Sequence, residues 1–154
     1  MSGTRNGHVL LVEDSADDRF LLERAIRRAP VQVTLSTARD GDEAVDYLAG
    51  AGEFTDRERH PLPALILLDW KLPKRTGREV LEWLRARPRF LTLPVVVLTT
   101  SAEVQDVHEA YAARANSYLP KLGNSGELAE LMACTLVYWL RFNLQTPPEA
   151  GGHC

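Results

Sequence analysis

Leu65-Ile-Leu-Leu-Asp-Trp-Lys-Leu-Pro73 lies near the middle of the chain. Its first four residues are apolar without interruption, and Asp69 ends the run. A short, wholly apolar run reads as a strand buried on both faces, as in the centre of a parallel sheet. Lys71-Leu-Pro-Lys-Arg-Thr76 is a turn. Thr76 with Glu79 then forms a capping box for a helix to about Arg87, stopped by Pro88.

The same strand-then-helix unit recurs on either side. Upstream, Val9-Leu-Leu-Val12 is a second buried strand, ending in Glu13-Asp14-Ser15. Ser15 and Asp18 give a capping-box-like start to a helix reaching about Arg28, with Phe20, Leu21, Ala25 and Ile26 expected to face inward. Val31 to Thr37 alternates as a strand, and Asp40-Gly-Asp-Glu43 opens a helix carrying Ala44, Val45, Tyr47 and Leu48. Gly50-Ala-Gly52 stops it, and residues 53–63 read as a polar loop with Pro61 and Pro63. Downstream, Pro94-Val-Val-Val-Leu98 is a strand ending in Thr99-Thr-Ser101, and Glu103 to Arg114 a helix. Ser117-Tyr-Leu119 is a short strand ending in Pro120-Lys121. Asn124 with Glu127 caps a last helix to about Asn143. Five strands alternating with five helices imply a doubly wound α/β fold, a parallel sheet with helices on both faces.

In such a sheet the functional site lies outside the carboxyl ends of the strands. Glu13, Asp14, Asp69, Thr99 and Lys121 all fall there. A lone Asp at a strand end is usually a helix cap, and Asp14 or Ser15 by itself is no more than that. Five such groups at four strand ends are hard to assemble by accident. Clustered carboxylates repel one another, a cost that a divalent cation removes; oxygen ligands with room for water suit Mg²⁺. A Lys at the end of a buried strand needs an anion, and Asp69 is the natural one. Cation, ammonium and hydroxyl around Asp69 would stabilise a phosphoryl group passing to its carboxylate.

At 154 residues the chain has the length of one domain. Its 45% hydrophobic content rules out a disordered or fibrous chain. No apolar run approaches the roughly 18 residues of a membrane span, and the first eight residues lack the apolar stretch of a signal peptide, so a cytoplasmic location is expected. A net charge of −3 argues against a non-specific nucleic-acid binder. Cys134 and Cys154 are expected to be a buried thiol and a free tail thiol, and His8, His60, His108 and His153 solvated surface residues. Trp83 is expected in the core.

The chain resembles the receiver domains of two-component response regulators over about residues 8–143. Val9-Leu-Leu-Val-Glu-Asp14, Ala38-Arg-Asp-Gly-Asp-Glu-Ala44, Leu65 to Pro73 with Gly77, Pro94 to Thr100 and Tyr118-Leu-Pro-Lys121 carry the resemblance. It implies a flavodoxin-like five-stranded sheet in order 2-1-3-4-5. It implies Asp69 as phosphoacceptor, with Mg²⁺ on Asp14, Asp69 and the Lys71 backbone carbonyl, and on Glu13 through water. Lys121 would bind the phosphoryl oxygens, and Thr99 and Tyr118 would form a switch pair. Trp70 would lie beside the metal. Such a protein catalyses only its own aspartyl phosphorylation and dephosphorylation. The chain departs from the usual Lys-Pro, with Leu122 after Lys121 and Pro120 before it, and has a long 50–63 loop. That loop, residues 72–81 and residues 98–101 resemble the single-domain regulators paired with phytochrome histidine kinases, so a kinase of that type is the expected partner.

Rival functions fit less well. A phosphatase of the haloacid-dehalogenase type carries a second Asp two residues after the nucleophile, where this chain has Lys71. A flavin carrier of the same fold needs a Ser/Thr/Gly-rich phosphate loop, whereas Glu13-Asp-Ser-Ala-Asp-Asp18 would repel phosphate. A degenerate receiver that only binds partners, or a phosphate sink, is the remaining alternative. The expected organisation is a flexible N-terminus at 1–7, a receiver at 8–143 and a tail at 144–154, without an output domain.

The last helix carries more apolar surface than one sheet can cover. Leu128, Leu131, Met132, Leu136 (or Thr135) and Trp139 supply the stripe that packs inward, while Ala133, Val137, Leu140 and Leu144, widened by Tyr138 and Phe142, make a second line. Surplus contiguous apolar surface usually marks an interface, and two-fold pairing is its commonest use. A homodimer through Val137, Tyr138, Leu140 and Phe142 is therefore expected, unless the tail or the 50–63 loop folds over this surface.

Overall fold

The computed structural model describes residues 6–146. The strands are β1 (His8–Val12), β2 (Thr34–Ala38), β3 (Leu65–Leu68), β4 (Val95–Thr99) and β5 (Ser117–Pro120). The helices are α1 (Ala16–Arg28), α2 (Gly41–Ala49), α3 (Gly77–Arg85), α4 (Val104–Ala112) and α5 (Ser125–Leu136). The strands form one parallel sheet in the order β2-β1-β3-β4-β5, as the resemblance implies. β3 is central, and Leu65, Ile66, Leu67 and Leu68 are all fully buried. Side chains of a strand alternate between faces. Ile66 and Leu68 accordingly join Val80, Leu81 and Leu84 of α3, while Leu65 and Leu67 join Leu22 and Ile26 of α1 and Leu128 and Met132 of α5.

The expected caps form. Asp18 N–H donates to Ser15 Oγ, and Glu43 N–H to the Asp40 carboxylate. The Thr76–Glu79 box closes in both directions, and Asn124 accepts from Gly126 and Glu127.

Side-chain environments depart from the sequence reading at several points. Phe20 and Leu21 are exposed, and α1 turns Leu22 inward with Ala25 and Ile26. Cys134 is exposed, on the side of α5 away from Met132 and Leu136. Cys154 and His153 lie outside the described residues. Trp83 is half-buried, with the Arg87 guanidinium 3.9 Å above its ring. His8 is buried in β1, its Nε2 3.0 Å from Ser36 Oγ and 3.1 Å from Tyr47 Oη. His60 is half-buried, edge-on to Tyr47 and Phe54. The 50–63 loop is thus an ordered cover for the outer end of α2. Arg57 ties it down by donating to the carbonyls of Tyr47 and Leu48, which a helix end leaves without intrahelical partners.

The last helix changes pitch. After Leu136 the chain makes a wider turn over Val137–Phe142, with Asn143 N–H donating to Tyr138 O, five residues back. Leu136 and Leu140 are both buried, whereas Tyr138, Phe142 and Leu144 are exposed. Leu140 is therefore not available as an interface residue, a correction to the sequence reading. Val137 is half-buried.

Candidate functional site

The parallel register carries the ends of β1, β3, β4 and β5 to one edge. Asp69 N–H donates to Val12 O, Glu13 N–H to Ala38 O, and Lys121 N–H to Thr99 O. Sheet bonding alone therefore places Glu13, Asp69, Thr99 and Lys121 side by side. Gly77 lets α3 begin against this edge, because a Cβ there would stand 2.6 Å from Asp69 O. Trp70 is buried on the α3 side with its ring against Gly77.

Lys121 is the centre of the cluster. Its Nζ lies 2.5 Å from Glu13 Oε1, 3.1 Å from Asp18 Oδ2 and 3.3 Å from Asp69 Oδ2. Asp14 stands on the solvent side. Three carboxylates thus contact one ammonium, and Asp14 adds a fourth acid beside Glu13 and Asp69. For Lys121, burial favours the neutral amine, but Glu13 and Asp69 outweigh it and hold its pKa above the ordinary value. For Glu13, burial dominates and, with the Asp69 charge, raises its carboxyl above the usual range despite Lys121. Glu13 Oε2 accepts from Ser15 N–H at 3.1 Å. Its buried Oε1 is in ion contact with Lys121 but has no aligned hydrogen-bond donor.

An oxygen with unspent lone pairs, in a cluster with excess negative charge, fits a hard cation. Glu13, Asp14 and Asp69 each offer one oxygen, all within 4.8 Å of one another. The residues present therefore suit the divalent metal expected from the sequence.

Thr99 is buried at the end of β4, and its Oγ1 accepts from Ser101 N–H at 3.4 Å. Tyr118, half-buried, donates its hydroxyl to Ser101 O at 2.8 Å. Ser101 is the element between the two expected switch residues. Its own hydroxyl donates to Asp106 Oδ2 at 2.5 Å, and Lys71 Nζ reaches the same oxygen at 3.1 Å. The hydrogen bond from Ser101, with the Lys71 pair behind it, lowers the Asp106 pKa. The turn after Asp69 is thereby tied to the first turn of α4.

Sequence reasoning missed three of these residues. Asp18 reads as part of a helix cap, Asp106 goes unremarked within the Glu103 to Arg114 helix, and Ser101 reads as the tail of a strand. Only the capping signal at Ser15 could have drawn attention to Asp18, since it fixes where that residue sits.

Residues 9–133 match the response regulator receiver domain. The chain is 39% identical over 132 residues to the response regulator Rcp1 of Synechocystis sp., covering 86% of this chain and 88% of that one. It superposes on the phosphorylated cyanobacterial phytochrome response regulator RcpA with a TM-score of 0.84 and 34% identity, over 92% of this chain and 99% of that one. The Mn²⁺-bound form of Rcp1 superposes with a TM-score of 0.81 and 37% identity, again over 92% and 99%. Sheet order, the acidic cluster facing one lysine, and these matches lead to one conclusion: the chain belongs to the response regulator receiver family, among relatives that include phytochrome response regulators.

Proposed function

We propose that this chain accepts a phosphoryl group on Asp69 from the phosphohistidine of a sensor histidine kinase of the phytochrome type. The observation that carries the proposal is the Lys121 ammonium, 3.3 Å from the Asp69 carboxylate, at a sheet edge shared with Glu13 and Asp14. Asp14, Asp69 and the Lys71 carbonyl would hold Mg²⁺, with Glu13 reaching it through water. Bound there, the cation supplies positive charge against the phosphoryl oxygens. An Asp69 oxygen attacks phosphorus, and the P–N bond breaks with its electron pair going to the imidazole. Lys121 gives up part of its contact with the carboxylates to donate to a phosphoryl oxygen.

Signalling would follow from the same geometry. The Thr99 hydroxyl turns to another phosphoryl oxygen, and Tyr118 leaves Ser101 O for the space vacated. The surface of α4, β5 and α5 changes with it, a two-state element biased by local charge. Output then passes through protein contacts. A homodimer is part of this proposal, through Tyr138 and Phe142 with Val137 beside them, since these rings stay exposed on the last turn.

The test is labelling by acetyl phosphate with Mg²⁺. The unmodified protein gains a hydroxylamine-sensitive phosphate, and Asp69→Asn, folded, gains none. Labelling of Asp69→Asn at the unmodified rate would refute the assignment. A stable phosphoprotein is expected to carry signal; acceptance followed by immediate loss would favour a phosphate sink.

A further inference from the structure

Asp18 stands apart from the other acids of the site. It occupies the third position of α1, where a capping box would send its carboxylate back to the Ser15 N–H. That N–H already donates to Glu13 Oε2 at 3.1 Å. The Asp18 carboxylate turns instead to Lys121, accepting from Nζ at 3.1 Å. The backbone of Asp18 is fixed there by its own N–H on Ser15 Oγ.

Three carboxylates therefore share one ammonium, and they are not equivalent. Glu13 and Asp69 belong to the cluster that suits a cation, and Asp18 does not. Glu13 is 1% exposed and holds Lys121 more closely than Asp18 does, so the lysine keeps its place without Asp18. Asp18 instead adds, at the open side of the site, a negative charge paired with Lys121 alone and outside the set of oxygens that suits a metal ion. Its side chain is 39% exposed, so solvent weakens that charge without removing it.

We infer that Asp18 is a built-in competitor for Lys121 that limits how tightly the site holds a phosphoryl group. It competes with phosphoryl oxygens for the same donor and repels their charge. The inference rests on Asp69 as acceptor and names a residue that regulates that site. Neutralising Asp18 should tighten phosphoryl binding by up to about fivefold, the range for a partly exposed charge close to an anion. Cation affinity should stay as it is.

The experiment titrates beryllofluoride, a phosphoryl mimic, at saturating Mg²⁺, read by backbone amide shifts. Magnesium is titrated separately. The proteins are the unmodified chain, Asp18→Asn, and Asp17→Asn as a control for losing an acid from the same helical turn. Asp18→Asn is expected to bind beryllofluoride more tightly with unchanged Mg²⁺ affinity, and Asp17→Asn to match the unmodified chain. Equal or weaker binding by Asp18→Asn overturns the inference. So does an equal gain in Asp17→Asn, or a change in Mg²⁺ affinity that accounts for the gain. If the unmodified chain binds no beryllofluoride, the acceptor reading itself fails and this inference falls with it.

Discussion

Removing the Lys121 ammonium while keeping its bulk, as Lys121→Met does, tests the electrostatics of the site directly. The substitution leaves Glu13, 1% exposed, and Asp69, 6% exposed, facing each other with no cation between them. Breaking a buried ion pair by removing one partner costs about 3–5 kcal/mol. Asp18 adds little, because its exposed carboxylate is solvated already. Glu13 can also escape part of the penalty by keeping a proton, as its raised pKa allows. The expected loss is therefore at the low end, about 3 kcal/mol, or about 6–12 °C in melting temperature for a chain of this size. The sign with pH follows. An acid whose folded pKa lies above its unfolded value binds more protons when folded, so stability falls as pH rises through that window. With Lys121 gone this window widens upward for Glu13, and the deficit against the unmodified protein should grow from pH 5 to pH 8. Magnesium should restore more stability to the variant than to the unmodified protein. Urea unfolding followed by tryptophan fluorescence measures all three effects. A variant as stable as the unmodified protein at pH 8 without Mg²⁺ would refute the reasoning.

Thr99→Ala should accept phosphate but lose the coupled response; amide shift changes at Ser101 and Asp106 identical to those of the unmodified protein would count against the switch. Phe142→Glu should give a folded monomer by light scattering, and an unmodified protein seen only at the monomer mass would remove the dimer. Leu140→Ala should instead lower stability by about 2–5 kcal/mol in urea unfolding, since that side chain is core. His8 is held below the ordinary histidine value of 6.5 by burial, so the unfolded chain binds the proton first and stability drops as pH falls below 6.5. The slope is at most about 1.4 kcal/mol per pH unit; His8→Gln should be flatter there, and equal slopes would mean another group is responsible.

The sequence by itself determined the fold because its signals are local. An unbroken apolar run such as Leu65–Leu68 states burial on both faces, and Ser15, Asp40, Thr76 and Asn124 announce helix starts through bonds three residues long or less. Once the sheet is parallel, strand ends share an edge, so Glu13, Asp69, Thr99 and Lys121 follow without coordinates. Tertiary structure alone decided the pairings that span the chain. Lys121 and Asp18 are 103 residues apart, and nothing in the spacing of either tells that the Ser15 N–H is taken by Glu13 and the Asp18 carboxylate set free. Likewise Asp106 gains its role from Lys71 and Ser101, on different loops. Exposure of Tyr138, Phe142 and Leu144 on the last helix was legible, but the burial of Leu140 was not, because a wide turn after Leu136 breaks the 3.6-residue period. His8 reads as a surface residue until Ser36 and Tyr47 are brought against it. A local signal fixes backbone conformation; which side chain meets which across the fold depends on three-dimensional neighbours that no window of sequence contains.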